Sequence, residues 1–250
     1  MKLNKQELDF IQSVIKTIQL VDIENIIIEP GKVRAMDENQ SIVVFQDTNI
    51  PKMSFGSLGL NRIKVFQTRL ELAQSQDNFE IEVTTNGEDD EIGYDKYDVS
   101  SKDPQPMWAR SFCMSGKNVK LDYRCASPQT IKAPKQRAGI SKYVFNIVPE
   151  VITMMQKGKI AMKSDEVTFI GDNKGVNLVI SDINGDALNY HFTDEYEVLD
   201  GSSSNFSYKY SIDQLLPLFK TNTSGVCSLT ARGSLMFTVN SLDVYVMARG

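Results

Sequence analysis

Four amphipathic segments, opening near residues 4, 60, 148 and 211, divide this chain, and β-forming runs fill the intervals between them. A helix must cover one apolar stripe and a half-buried strand one apolar face. The order helix, strands, helix, strands, given twice, therefore predicts helices packed on sheets in two similar halves. In NKQELDFIQSVIKTIQ, Leu8, Ile11, Ile15 and Ile18 recur at helical spacing, with Asn4 as N-cap and Glu7 in capping-box position. LNRIKVFQTRLEL aligns Ile63, Phe66 and Leu70. VPEVITMMQKG has Pro149 in its first turn, carries Val151, Met154 and Met155, and is expected to stop at Gly158. SIDQLLPLFK takes Ser211 as N-cap and Ile212, Leu215, Leu216 and Phe219 as its apolar face. Its Pro217 removes a helical hydrogen bond and predicts a kinked or shortened helix.

The strand runs are NIIIEPGKVRAM, SIVVFQDT, FEIEVTTNG and NVKLDYRC in the first half. EVTFIGDNKGVNLVISDINGDALNYHF, VCSLTARG, LMFTVN and DVYVMAR follow in the second. Within VRAMDENQSIVVFQ, Asp37, Glu38, Asn39 and Gln40 break a strand pattern, so the stretch reads as a hairpin with a polar turn. DNKG, and the Asn-Gly pair at 184–185, are turn chemistry that favours antiparallel pairing. SPQTIKAPKQRAGIS, 127–141, has two prolines, three basic residues and no alternation, and reads as a linker. The expected division is a first domain at 1–126, a connector at 127–141 and a second domain at 142–250.

Three cysteines without a CxxC pair fit a reducing, intracellular setting. No apolar run approaches the roughly 18 residues of a membrane span. Asp and Glu come too early in MKLNKQELDF for a secretory signal. A net charge of −5 argues against nucleic-acid binding only if charge is evenly spread. It is not. The windows 2–19, 60–72, 142–163 and 208–220 carry +1, +2, +3 and +1, leaving −12 for everything else. Lys5 and Lys16, eleven residues apart, share a helix face about 120° from the apolar stripe, and Arg62 and Arg69 share another. Lys64 does not fit that face. Such a surface meets phosphates by long-range attraction and does not read bases.

VRAMDENQSIVVFQ, the C-terminal FSYKYSIDQLLPLFK with VCSLTARGSLMFTV and LDVYVMARG, and GLNRIKVFQTRLELAQSQDNFEIEV resemble the sliding DNA clamps, the family of proliferating cell nuclear antigen and its archaeal and phage relatives. The resemblance covers most of the chain as a pattern of elements, whereas 84–118, with Trp108, matches no part of the family. It implies an α+β DNA-clamp (processivity) fold of two similar domains, each with two helices packed on antiparallel sheets. It also implies a homotrimeric ring around duplex DNA that tethers DNA polymerase and is loaded by a clamp loader. Basic helices would line the hole, with Lys5, Lys16, Arg62, Lys64, Arg69, Lys142, Lys157, Lys159, Lys209 and Lys220 facing DNA. Clients would dock by a short peptide at Met36, Ile42, Ile131, Ala133, Pro134, Met247 and Ala248. At the second apolar position of that set, strict counting puts Ser41 in place of Ile42. Arg249 stands where a proline is frequent. KNVKLDYRC (117–125) and VNLVISDI (176–183) resemble the strands that pair between subunits. The acidic tail of some relatives has no counterpart and the fit to cellular relatives is loose, which together point to a viral or phage source.

An enzyme reading has little support: His191 is the only histidine and reads as structural, and no HExxH, GxSxG or GxxxxGKS motif occurs. No cofactor or metal is expected. SDINGD lacks the spacing of a calcium loop and reads as a turn, and NGEDDEIGYDKYD reads as a solvated acidic loop. The alternative is a single-stranded nucleic-acid-binding protein or a β-rich virion structural protein. For the former, FSYKYS is the only stretch interleaving aromatic and basic residues.

Overall fold

The computed structural model describes residues 1–86, 106–135, 139–172, 175–192, 196–199, 205–222 and 225–249. The acidic run expected to be a solvated loop lies outside them beyond Asn86, as does part of the DNKG turn. The chain divides into two compact units, Met1–Met36 with Gln46–Pro134, and Asp37–Phe45 with Lys135–Gly250. Segment 37–45 thus goes with the second unit although it precedes the connector.

The first unit contains α1 (Lys5–Leu20), β1 (Asn25–Glu29) and β2 (Lys32–Met36); β3 (Ile42–Gln46) belongs chiefly to the second unit. It continues with β4 (Leu58–Asn61), α2 (Ile63–Gln74), β5 (Glu80–Thr85), β6 (Ala109–Gly116) and β7 (Val119–Arg124). NIIIEPGKVRAM is two strands, because Gly31 turns the chain at φ 76°. β1 pairs antiparallel with β2 and β4, and β6 pairs antiparallel with β5 and β7. The capping box forms: Asn4 Oδ1 accepts from Glu7 N at 2.9 Å, and Glu7 Oε2 accepts from Asn4 N at 3.2 Å. Glu7 is only 3% exposed and also accepts from the Ser54 N–H, so the cap pins a loop as well as a helix. Ile11, Val14, Ile15 and Ile18 are buried along α1, each worth about 1.5–3 kcal/mol. On α2, Phe66 meets Phe112 of β6 and Tyr123 of β7 edge-on, at ring-centroid distances of 5.4 and 4.9 Å.

The second unit runs β3, β8 (Ser141–Asn146), α3 (Pro149–Ala161), β9 (Glu166–Asp172), β10 (Gly175–Ser181) and β11 (Ala187–Phe192). β12 (Tyr196–Val198), β13 (Phe206–Ser211), α4 (Ile212–Thr221), β14 (Val226–Thr230), β15 (Ser234–Val239) and β16 (Leu242–Met247) follow. One sheet has the order β12-β8-β14-β15-β16-β3 within this unit, the other β11-β10-β9-β13. One helix end differs from expectation, and one helix is not shortened as its proline allowed. α3 passes through Gly158 to Ala161. A Cβ at Gly158 would lie 2.6 Å from Ile180 Cδ1, so this glycine permits close approach to β10 instead of ending the helix. α4 continues through Pro217, because Ile212, Leu215, Leu218 and Phe219 are buried on both sides of it. The buried face takes Leu218, with Leu216 only half-buried.

The polar turn after Met36 is built by Asp37. Its carboxylate accepts from Ile42 N and from Ser41 Oγ, both at 2.7 Å. Gln214 Nε2 of α4 donates to Ser41 Oγ at 2.7 Å, and Met247 N of β16 donates to Ser41 O at 2.8 Å. Asp37 therefore closes the turn, and through Ser41 the turn is fixed to α4 and β16. Asp37→Ala orphans the Ile42 amide, and the unfolding free energy from urea titration is expected to fall by about 1–3 kcal/mol.

Candidate functional site: cationic helix ends, the connector and two sheet edges

The cations expected to act together fall into different environments. In the first unit, Lys5 and Lys16 are exposed on α1. Arg62 holds the N-cap of α2 at φ 65°, with its guanidinium 5.5 Å from the centroid of the Tyr123 ring. Lys64, which fits no common face with Arg62 and Arg69, is bound to Asp22 at 2.7 Å and Glu24 at 3.5 Å. The Asp22 hydrogen bond, followed by its charge, holds the Lys64 ammonium above its usual pKa. Arg69 donates to the backbone carbonyl of Asp122.

In the second unit, Lys157 and Lys220 are exposed on α3 and α4. Lys159 is held by Asp213 at 2.5 Å and Asp165 at 3.0 Å, and hydrogen bonds to these two, Asp213 first, raise its pKa. Lys142 and Lys209 are on β8 and β13, not on helices as expected. Within their true bounds α1 and α4 are neutral and α2 and α3 carry +1 each. The remainder of the windows' charge comes from Lys2, Arg62, Lys142, Lys163 and Lys209, which lie outside the helices. Most of the basic bias thus lies outside the helices, two of its five residues on strands.

The connector is fastened to the first unit at both ends. Ala126 N donates to Gly59 O of β4 at 3.0 Å, a 3-10 turn spans Pro128–Thr130, and Arg34 Nη1 donates to Pro134 O at 3.2 Å. Arg34 is itself fixed by Glu29 at 2.7 Å. Beneath this strap lies a cavity of about 300 Å3 whose walls include Ile27, Arg34, Trp108, Pro128, Ile131 and Ala133. Ile131 and Ala133 were expected at a binding surface; Ile27, Arg34 and Trp108 were not, because no local pattern ties distant residues to one wall. Met36 is half-buried at the end of β2, and Met247 and Ala248 are half-buried in the second unit beside Ser41. Ile42 is 3% exposed and points into the core, so Ser41 is the surface residue there, as strict counting gives.

The sheet edges are treated unequally. Residues 1–3 cover the outer edge of β5, with Leu3 N donating to Ile81 O at 2.9 Å and Val83 N to Met1 O at 2.7 Å. Arg249 covers part of β13, its N–H donating to Lys209 O at 2.8 Å and its guanidinium meeting Glu166 at 3.0 Å. β7 and β11 end their sheets, and among the described residues no strand pairs with their outer sides. The first matches the expected edge at 117–125. The second corrects the expectation at 176–183, because β10 is paired on both sides, with β9 and β11. Both strands flank the same Asn-Gly turn, so the sequence alone does not separate the inner from the outer one.

Other reactive groups are occupied or suppressed. His191 is exposed on β11, its Nδ1 2.8 Å from Asn177 Oδ1 on β10, a cross-strand pair. Burial pushes the Cys227 thiol up to about 12 and Cys125 higher still, and burial followed by Asp122 raises Cys113. The SDINGD stretch is a turn in which Asp182 Oδ1 accepts from Asn184 N and Asp186 N at 2.8 and 2.9 Å. Among the described residues no cluster of metal-ligating side chains forms, and no helix is long and apolar enough to cross a membrane. A Cβ at Gly59 would lie 2.4 Å from Ala126 O, a backbone atom. Gly59→Ala is therefore expected to lift the connector, destabilise the chain by about 1–3 kcal/mol and red-shift the emission of Trp108, its only tryptophan.

No protein-family model matches the sequence, and no curated protein sequence does. Solved structures do match the fold. PCNA of A. fulgidus, solved with the C-terminal region of FEN-1 bound, superposes with a TM-score of 0.57 at 13% identity, over 97% of this chain and 96% of that one. Proliferating cellular nuclear antigen from Entamoeba histolytica gives 0.56 at 13%, over 96% and 95%. The DNA polymerase sliding clamp of Pseudomonas aeruginosa gives 0.56 at 10%, over 92% of this chain and 58% of that longer one. With four α-helices on antiparallel sheets among its described residues, the chain has the α+β fold of the sliding DNA clamps.

Proposed function

We propose that this chain is a sliding clamp that encircles duplex DNA and tethers a DNA polymerase during replication. The observation that supports this reading above others is the clamp fold itself, which accounts for nearly the whole chain and not for one domain of it. The domains are 1–126 and 142–250, joined by the 127–141 connector. Three copies associate head to tail, β7 of one copy pairing with β11 of the next, so that each open edge is satisfied by the other. A clamp loader opens and closes this ring. A viral or phage origin remains part of the reading.

In the ring, Lys5, Lys16, Arg62, Lys142, Lys157, Lys209 and Lys220 meet the phosphates, while an acidic exterior repels them. Lys64 and Lys159 contribute little, since carboxylates already neutralise them. Arg69 belongs to the same wall once its hydrogen bond to Asp122 is released. Interactions confined to phosphates let the clamp slide, because every base pair presents the same charge. PCNA of A. fulgidus takes the C-terminal region of FEN-1. Here a client peptide is proposed to meet Met36, Ile131, Ala133, Pro134, Met247 and Ala248.

Loaded protein is expected to stay on circular duplex and to slide off when the circle is cut, at a native mass three times the chain's 28.1 kDa. Equal retention on circular and linear DNA would contradict encirclement. Replacing Lys5, Lys16, Lys157 and Lys220 together by Ala should weaken retention without changing the melting temperature. The log–log salt slope should fall by about 0.9 for each phosphate that is no longer neutralised.

A further inference from the structure

The outer edge of β7 is not empty. Cys125 N donates to Arg110 O of β6 at 2.9 Å, so residue 125 directs its backbone groups inward. Alternation along an antiparallel strand then directs 123, 121 and 119 inward and 124, 122 and 120 outward. The carbonyl of Asp122 therefore faces the open side, and it is this carbonyl that Arg69 reaches from α2. By the same alternation, the hydrogen bond from Asp182 N to Asp186 O at 2.9 Å places 188, 190 and 192 inward on β11. Ala187, Asn189 and His191 then present their backbone groups outward.

We propose that Arg69 guards this edge: its guanidinium occupies a backbone acceptor that an incoming strand requires, and docking of β11 from a second copy displaces it. The inference rests on the assembly reading above and adds a coupling to it. A single copy keeps the charge of Arg69 folded onto its own strand edge, whereas an assembled copy releases that charge to the exposed side of α2. Association thus exposes one cation per copy that the unassociated chain withholds. A charged side chain at a sheet edge is a common protection against unwanted strand pairing, and a helix-borne arginine supplies it reversibly. Arg62 holds the neighbouring Tyr123 ring and not an edge acceptor, so it does not share this role.

The test is sedimentation velocity over a concentration series, with wild type, Arg69→Ala and Arg62→Ala compared at matched thermal stability. Arg69→Ala is expected to self-associate about five- to tenfold more tightly, the scale of one hydrogen bond no longer broken on docking. Arg62→Ala should show no tightening. A synthetic peptide covering residues 186–192 should likewise bind Arg69→Ala more tightly than wild type. If the chain associates and Arg69→Ala is unchanged or weaker, the guard is overturned while the assembly reading stands. If neither variant self-associates nor binds the peptide, no strand docks on β7 and both fail.

Discussion

A sheet must place every backbone donor and acceptor of its outermost strands, and this requirement organises the molecule more strongly than any single side chain. In the first unit residues 1–3 satisfy β5, and Trp108 and Ala126 bridge to β4 and the residue before it. In the second unit Arg249 bridges to β13. Among the described residues this leaves one long uncovered strand in the three-stranded sheet and one in the four-stranded sheet, β7 and β11. Both carry charged or polar residues on their exposed positions, among them Lys120, Asp122 and Arg124 on β7 and Asn189 and His191 on β11. Such residues keep an edge soluble while leaving its backbone able to pair.

The electrostatics follow from the same economy of partners. A lysine within reach of a carboxylate is neutralised where it stands, as Lys64 is by Asp22 and Lys159 by Asp213 and Asp165. Exposed pairs of this kind contribute little to stability. They do change which charges remain to act at a distance. Lys5 and Lys16 on α1, Lys157 on α3 and Lys220 on α4 are left exposed.

The fold was largely legible in the residues. The capping box of Asn4 and Glu7, the apolar stripes of α1 and α2, the polar turn at Asp37 and the Asn-Gly turn all formed as their local chemistry dictates. Local rules failed where packing overrode them. Gly158 is within a helix, close to the Ile180 side chain of β10, and Pro217 does not shorten α4, whose buried residues lie on both sides of it. The site was less legible. Charge counted over a window cannot tell a free lysine from a paired one, and Lys142 and Lys209 lay on strands.

By itself, then, the sequence determined the kind, number and order of the elements, since helix and strand periodicity, caps and turns depend on neighbours a few residues away. Tertiary structure alone decided which strand of a hairpin is outermost, which cations are paired with carboxylates, and that Trp108 shares a cavity wall with Arg34 and Ile131. Those outcomes depend on groups far apart in the chain meeting within hydrogen-bonding or ion-pairing distance. No stretch of residues read in order contains that distance.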